Sequence, residues 1–320
     1  MIHSPAAEAA APQGTSAWQN IKRYLAYKWK EIKKARTYYL FVLPYALIFF
    51  TFTVIPVIIS IYLSFTTFNM IQVPRFVFIE NYYKLFMADE LFLEAIKNTM
   101  LISTITGPVG YLLCLMFAWL LNEMPPKFRA VLTLLFYAPA LTQTSTIFTF
   151  IFSGDAQGLL NSTLLRWTVI VSPVQWLANE ATILPCILVV ILWLSLGTSF
   201  LSFIAGFQGV DREQYEAGAI DGIKNRWQEL WYITLPNMKQ QMMFGAVMSI
   251  TGSFGMGAVI TQLVGFPSPN YAAHTIVHHL EDYGNIRFEM GYASAIATIL
   301  FLIMVTANKL VQSMLRKVGT

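Results

Sequence analysis

Six stretches of about 20 residues or more, at 39–65, 99–121, 130–152, 183–205, 242–264 and 291–310, are built almost wholly from apolar side chains. Each can cross roughly 30 Å of hydrocarbon as a helix. The one charged residue within them is Lys309, at the end of the last, and it is counted with the basic tail that follows. Hydrocarbon offers backbone N–H and C=O groups no partner, so such a chain must satisfy them within each segment and folds as a helical bundle. The expected fold is an all-α polytopic membrane protein with six transmembrane helices. Charged residues are 12% of the 320, against about 25% in soluble domains, which excludes an ordinary water-soluble enzyme. Pro44, Pro56, Pro108, Pro139 and Pro185 fall in or near these runs and predict kinked helices.

Orientation follows from the basic residues. Sixteen of the 21 lie in 1–38, 122–129, 206–239 and the tail, and five on the other side, namely Arg75, Lys84, Lys97, Arg166 and Arg287. That asymmetry places both termini and the two basic loops in the cytoplasm. Residues 1–38 lack the apolar core and cleavage site of a signal peptide. Trp18, Ile21, Leu25, Trp29 and Ile32 recur at helical spacing, with Lys22, Lys28, Lys30 and Lys33 largely on other faces. Either an amphipathic helix on the inner leaflet or a solvated basic anchor fits this pattern. Cys114 and Cys186 sit in apolar runs without ligand spacing and read as small buried hydrophobes.

The connector 206–239 carries the densest helix signals. Asp211 with Gln214 reads as a capping box, Val210 can staple onto Tyr215, and Gly222 ends the helix in a left-handed cap. Asn225 with Gln228 repeats the cap, and Trp227, Leu230 and Trp231 form an apolar stripe before Pro236 turns the chain into the fifth run. The result is a helix, a glycine turn and a second helix, with the small residues Ala217, Gly218 and Ala219 beside Glu216.

YEAGAIDG followed by ITLP resembles the EAA motif of the membrane subunits of binding-protein-dependent ATP-binding-cassette importers, with Glu216, Ala217, Asp221, Gly222, Ile233, Leu235 and Pro236 matching. Two departures stand out: Gly218 replaces the motif's third residue, Ala, and ten residues rather than nine separate Gly222 from Ile233. Weaker patches at 38–65, 79–86, 98–103, 158–161 and 291–297 are similar to the sugar-importer branch, which includes maltose and glycerol-phosphate permeases. The resemblance implies a permease domain over 39–320 preceded by the cytoplasmic segment 1–38. It also implies a coupling helix seated in a separate ATPase and a second permease subunit in a heterodimer. Two ATPase subunits that bind ATP and Mg, an external solute-binding protein and a bacterial plasma-membrane location follow as well.

The chain has no G-x-x-x-x-G-K-[ST] phosphate loop, so hydrolysis is expected in a partner and no cofactor in this chain. Gly252, Gly255 and Gly257 read as helix packing rather than nucleotide binding. Intramembrane carboxylates for proton coupling are missing as well, which argues against a secondary transporter or channel that runs without ATP. An uncharged path suits a neutral polyol held by hydroxyls and aromatic faces, and disfavours anionic cargo such as glycerol phosphate. Candidate pathway residues are Trp193, Ser195, Thr198, Ser199 and Ser202 in the fourth run and Ser249, Thr251, Ser253, Thr261 and Gln262 in the fifth. Tyr137, Thr142, Gln143 and Thr144 near Pro139 join them. Against each stands the plainer role of a hydroxyl bonded back to its own helix. A membrane enzyme lacks any cluster of titratable groups within the runs. His274, His278 and His279 offer no third ligand at sensible spacing and are expected as surface histidines. Phe266, Pro267 and Pro269 are expected as a stiff turn at the outer mouth, and Asn161-Ser-Thr as a chance glycosylation sequence.

Overall fold

The computed structural model describes residues 17–142 and 145–315, which fall into two compact units, Met1–Ile59 and Ser60–Thr320. In the first, α1 (Ala17–Lys34) is a helix with Trp18 and Trp29 exposed. It is followed by α2 (Arg36–Phe49), a π turn at Phe50–Val54 ahead of Pro56, and α3 (Ile55–Leu63), which runs on into the second unit. A two-stranded ribbon, β1 (Thr66–Thr67) against β2 (Arg75–Phe76), adds a small departure from an all-helical chain. Then come α4 (Glu80–Met87), α5 (Glu90–Asn122), α6 (Pro126–Thr142), α7 (Thr146–Ile151) and α8 (Leu159–Arg166).

The second half continues with α9 (Glu180–Leu194), α10 (Thr198–Gln208), α11 (Arg212–Ile220), α12 (Arg226–Glu229) and α13 (Leu235–Asn237). It ends with α14 (Lys239–Phe254), α15 (Gly257–Val264), α16 (Ile276–Glu281) and α17 (Met290–Leu315). Among the described residues four stretches are long and apolar enough to cross a membrane, namely Arg36–Leu63, Glu90–Asn122, Glu180–Gln208 and Met290–Leu315. The pair α14 and α15, bent by 43°, makes a fifth when taken as one span. The third apolar run does not form one long helix: α6 ends at Thr142 after 17 residues and α7 starts at Thr146.

Expected proline kinks do not explain the breaks in the fourth and fifth runs. The helix is continuous through Pro108 in α5 and Pro185 in α9. The fourth run instead breaks at Ser195–Gly197, where Gly197 has φ −109° and ψ −132°, and the fifth breaks at Gly255 and Met256. A proline forfeits one backbone bond that neighbouring helices can absorb, whereas glycine, without a Cβ, readily takes non-helical angles.

α5 is the central helix, packed on α9, α10 and α14, and α17 packs on α14. Its lower half joins Phe200, Phe203, Met238 and Met242 in one apolar cluster, and Ile102 joins Ile187, Ile191 and Ile260 in another. Phe92 and Ala95 at its start pack on Ile276, Tyr292 and Ile296.

The histidines are buried rather than on the surface: His274 is 3% exposed and His278 and His279 are each 2% exposed. His279 Nε2 lies 3.1 Å from Asp89 Oδ2, and its Nδ1 lies 3.1 Å from His274 Nε2. Tyr292 donates to the same Asp89 oxygen at 2.8 Å, and the Phe92 N–H caps the other at 3.0 Å. His278 bridges Thr275 Oγ1 at 2.8 Å and Thr261 Oγ1 at 3.1 Å, with the Phe266 ring stacked 5.7 Å from its own. Sequence spacing hid this knot because its acceptor, Asp89, is the N-cap of a helix about 190 residues away. Asn161 is likewise fully buried, donating to three backbone carbonyls and accepting from Trp176 Nε1, so it is a structural hub rather than a glycan acceptor.

Candidate functional site

The loop between α10 and α14 folds much as its caps dictate, with one exception. Asp211 has the extended backbone of an N-cap, but its side chain makes no cap bond, and Gln214 instead accepts from Asn237. The second cap is made: Asn225 Oδ1 accepts from the Gln228 N–H at 2.9 Å, and Gln228 Oε1 accepts from the Lys224 N–H at 2.9 Å. Gly222 has φ +96°, and the two bonds of a Schellman closure follow it, Ile223 N–H to Gly218 O at 2.9 Å and Gly222 N–H to Ala219 O at 3.3 Å.

Both departures from the family motif acquire a physical account. Gly218 is the buried residue of α11, and a Cβ there would lie 2.5 Å from Ile233 Cδ1, so the motif's alanine would make the tip of the Ile233 side chain shift. The extra residue in the spacer lies where Leu230–Thr234 form a π turn, with Thr234 Oγ1 bonded to Glu229 O at 3.2 Å and to Tyr215 Oη at 2.9 Å. A π turn holds about one residue more than an α turn, the size of the excess. The loop residues divide by exposure. Ile233 and Leu235 are buried and hold the loop together, while Glu216, Ala217, Asp221, Gly222 and Pro236 face outward. Ile220, 88% exposed and one turn after Glu216, shares their surface; the i, i+4 spacing could have flagged it.

At the two helix breaks lies an open pocket of ≈190 Å³. Five of the predicted pathway residues line it, Ser195, Thr198, Ser199, Ser249 and Ser253, together with Thr106 of α5. Ala140, Met248 and Met256 give it apolar walls, and among the described residues no Asp, Glu, Lys, Arg or His lines it. Ser199 donates to Gly245 O at 2.9 Å and Ser249 to Ser199 Oγ at 3.1 Å, which stitches α10 to α14. Ser195 and Ser253 bond back to Leu192 O at 2.7 Å and Ile250 O at 2.8 Å, the plainer role weighed for such hydroxyls. Each oxygen keeps lone pairs for a further donor.

Other candidates lie elsewhere. Trp193 sits beside Phe136, ring centroids 6.5 Å apart, outside the pocket lining, as does half-buried Tyr137. Gln262 Oε1 accepts from Ser145 N–H at 3.2 Å and Oγ–H at 2.8 Å, tying α15 to the start of α7. Ser202 donates to Gln241 O at 3.4 Å, and Thr261 serves the histidine knot. Gln143 and Thr144 lie outside the described residues. Of the glycine trio, Gly252 lines the pocket and Gly257 abuts Val277, where a Cβ would lie 2.7 Å from Cγ1.

The family described as binding-protein-dependent transport system inner membrane component matches residues 37–319. The chain belongs to that family. This inner membrane component is 33% identical to the arabinooligosaccharides transport system permease protein AraP of Bacillus subtilis (strain 168) over 286 residues, 88% of this chain and 89% of that one. It is 28% identical to the lactose transport system permease protein LacF of Rhizobium radiobacter over 67% of this chain and 72% of that one. Its fold matches a chain in the crystal structure of a bacterial ABC transporter involved in import of the acidic polysaccharide alginate, with TM-score 0.71, 22% identity and coverage of 91% of this chain and 99% of that chain.

Proposed function

We propose that the chain is the permease subunit of an ATP-driven importer for a neutral carbohydrate, most simply an oligosaccharide. The observation that carries the cargo assignment is the charge-free, hydroxyl-lined pocket at the breaks of two spans. Interrupted helices place backbone and hydroxyl groups where a polar solute can meet them inside a membrane. The names of the arabinooligosaccharide and lactose relatives support a sugar, and the absence of Lys and Arg from the pocket lining favours a neutral one. At ≈190 Å³ the pocket is smaller than the 300–1,000 Å³ usual for ligand sites, which supports a second permease subunit forming the opposite wall.

Energy enters through a separate ATPase seated on the exposed face of Glu216, Ala217, Ile220 and Asp221. An external binding protein delivers the cargo, in keeping with the family's description. Both termini and the 206–239 loop lie in the cytoplasm of a bacterial cell, an orientation supported by the basic-residue asymmetry. α6 with α7 supplies the sixth span. The test is uptake of labelled neutral and acidic oligosaccharides by cells expressing the whole transporter. ATP-dependent uptake of a neutral sugar, lost on Glu216→Lys together with ATPase association, is the expected result. Uptake insensitive to ATP, or confined to anionic cargo, overturns the assignment.

A further inference from the structure

The coupling loop is covalently joined to α10 and α14, yet the pocket they share is also walled by α5, α6 and α9. Thr106 of α5 lines it, and α5 lies so close that a Cβ on Gly110 would sit 2.9 Å from Ser195 Oγ and one on Gly107 would sit 3.4 Å from Ser253 Oγ. No short connection links α5 to the loop. The far end of α5 nevertheless touches it twice. Glu123, the C-cap of α5, places Oε2 3.2 Å from Arg226 Nη2, and the Trp119 ring lies 4.7 Å from that of Trp227, tilted by 56°.

The placement of Arg226 is informative. It is the first residue of α12, where the helix dipole disfavours a cation. Glu229 holds its Nη1 at 2.6 Å, which leaves Nη2 directed to Glu123, so one guanidinium spans two carboxylates. Around them opens a cleft of ≈610 Å³ between the α5–α6 turn and the loop, the kind of space in which two elements can shift while staying connected.

We propose that the Glu123–Arg226 ion pair and the Trp119–Trp227 ring contact form a latch through which the coupling loop moves α5 together with α10 and α14, so that these three walls of the pocket shift at once. The proposal rests on the ATPase seat argued above. Glu123 lies 13 residues beyond Gly110, about 20 Å along the axis at roughly 1.5 Å per residue, so α5 acts as a lever between latch and pocket. Glu123 and Arg226 are thereby positioning residues. Exposed ion pairs add little static stability, so breaking this one spares folding and shows itself in transport.

The test uses the whole transporter in proteoliposomes and reads solute moved per ATP hydrolysed for wild type, E123R, R226E and the exchange E123R/R226E. The exchange keeps two acids and one base at the site, counting Glu229. The single variants are expected to lower the ratio at least fivefold with the ATPase still bound, and the exchange to restore it to within twofold of wild type. An unchanged ratio in both singles overturns the latch, as does loss of the ATPase in the singles without recovery in the exchange. E216K separates the two readings. If it sheds the ATPase while the latch singles transport normally, the latch alone fails; if wild type shows no ATP-dependent uptake, the function assignment fails and the latch with it.

Discussion

Gly222 and Gly218 show how two glycines four residues apart do different work. At φ +96° Gly222 adopts a backbone conformation that costs an L-residue about 1–2 kcal/mol, and the Schellman bonds that orient α12 depend on it. Gly222→Ala is therefore expected to weaken ATPase capture by the assembled transporter by about 5- to 30-fold, with Gly222→Asn milder because Asn tolerates positive φ. Co-purification of the ATPase measures it, and equal recovery from all three proteins would refute the turn's role. Gly218 matters for space instead, since the tip of Ile233 lies 2.5 Å from where its methyl would be. In the pocket, Ser249 is half-buried and faces the cavity beside Ser199. Ser249→Leu is expected to cut sugar uptake at least tenfold with normal membrane insertion and ATPase binding; wild-type uptake would remove it from the pathway.

At the scale of elements, the breaks in α9–α10 and α14–α15 create the pocket, and the histidine knot anchors the elements beyond the second break. Burial pushes His274 and His278 down to about 4, with the neighbouring histidines adding to the effect at His274. Burial lowers His279 as well, against the pull of Asp89. Burial also opposes the charge on Asp89, but hydrogen bonds from Tyr292, the Phe92 N–H and His279 hold its carboxyl below the ordinary value. Between pH of about 6.5 and 4 an unfolded segment binds protons that the folded knot refuses, so local stability rises with pH and is lost on acidification. Of the other charged groups around the knot, Asp282 and Arg287 pair with each other at 2.6 Å, and Lys84, 4.6 Å from the Tyr292 ring centroid, pairs with Glu289 at 3.7 Å. The protection of amides across 272–283 relative to their intrinsic exchange rates is therefore expected to fall from pH 7 to 4.5, and less so in His278→Gln. Equal protection at both pH values in the wild type would contradict it.

For the whole molecule, the orientation proposed from the basic residues makes a direct prediction. Val171, in the segment between α8 and α9, and Ile220, at the tip of α11, are both strongly exposed. In cells, a membrane-impermeant maleimide is expected to label Val171→Cys without permeabilisation and Ile220→Cys only after it, with buried Cys114 and Cys186 silent in both. Reversed labelling would invert the orientation and place the coupling loop outside.

Apolar run length, the glycine turn and the cap at Asn225 were legible in the chain because each depends on neighbours within a few residues, where spacing and side-chain type translate directly into helix, stop and turn. Five of the candidate serines and threonines share one pocket for a related reason: they flank the loop in sequence, four on the two helices it joins and Ser195 at the break just before α10. What tertiary structure alone decided were the partners from afar: Asp89 for His279, Ile233 for Gly218, Glu123 for Arg226. It also decided that the fourth and fifth runs break at glycines rather than prolines. Those outcomes depend on which helix packs against which, and hydrocarbon-length runs of Leu, Ile and Phe carry little pairing information. Only close packing, which puts α5 within a methyl group's reach of Ser195, selects one arrangement.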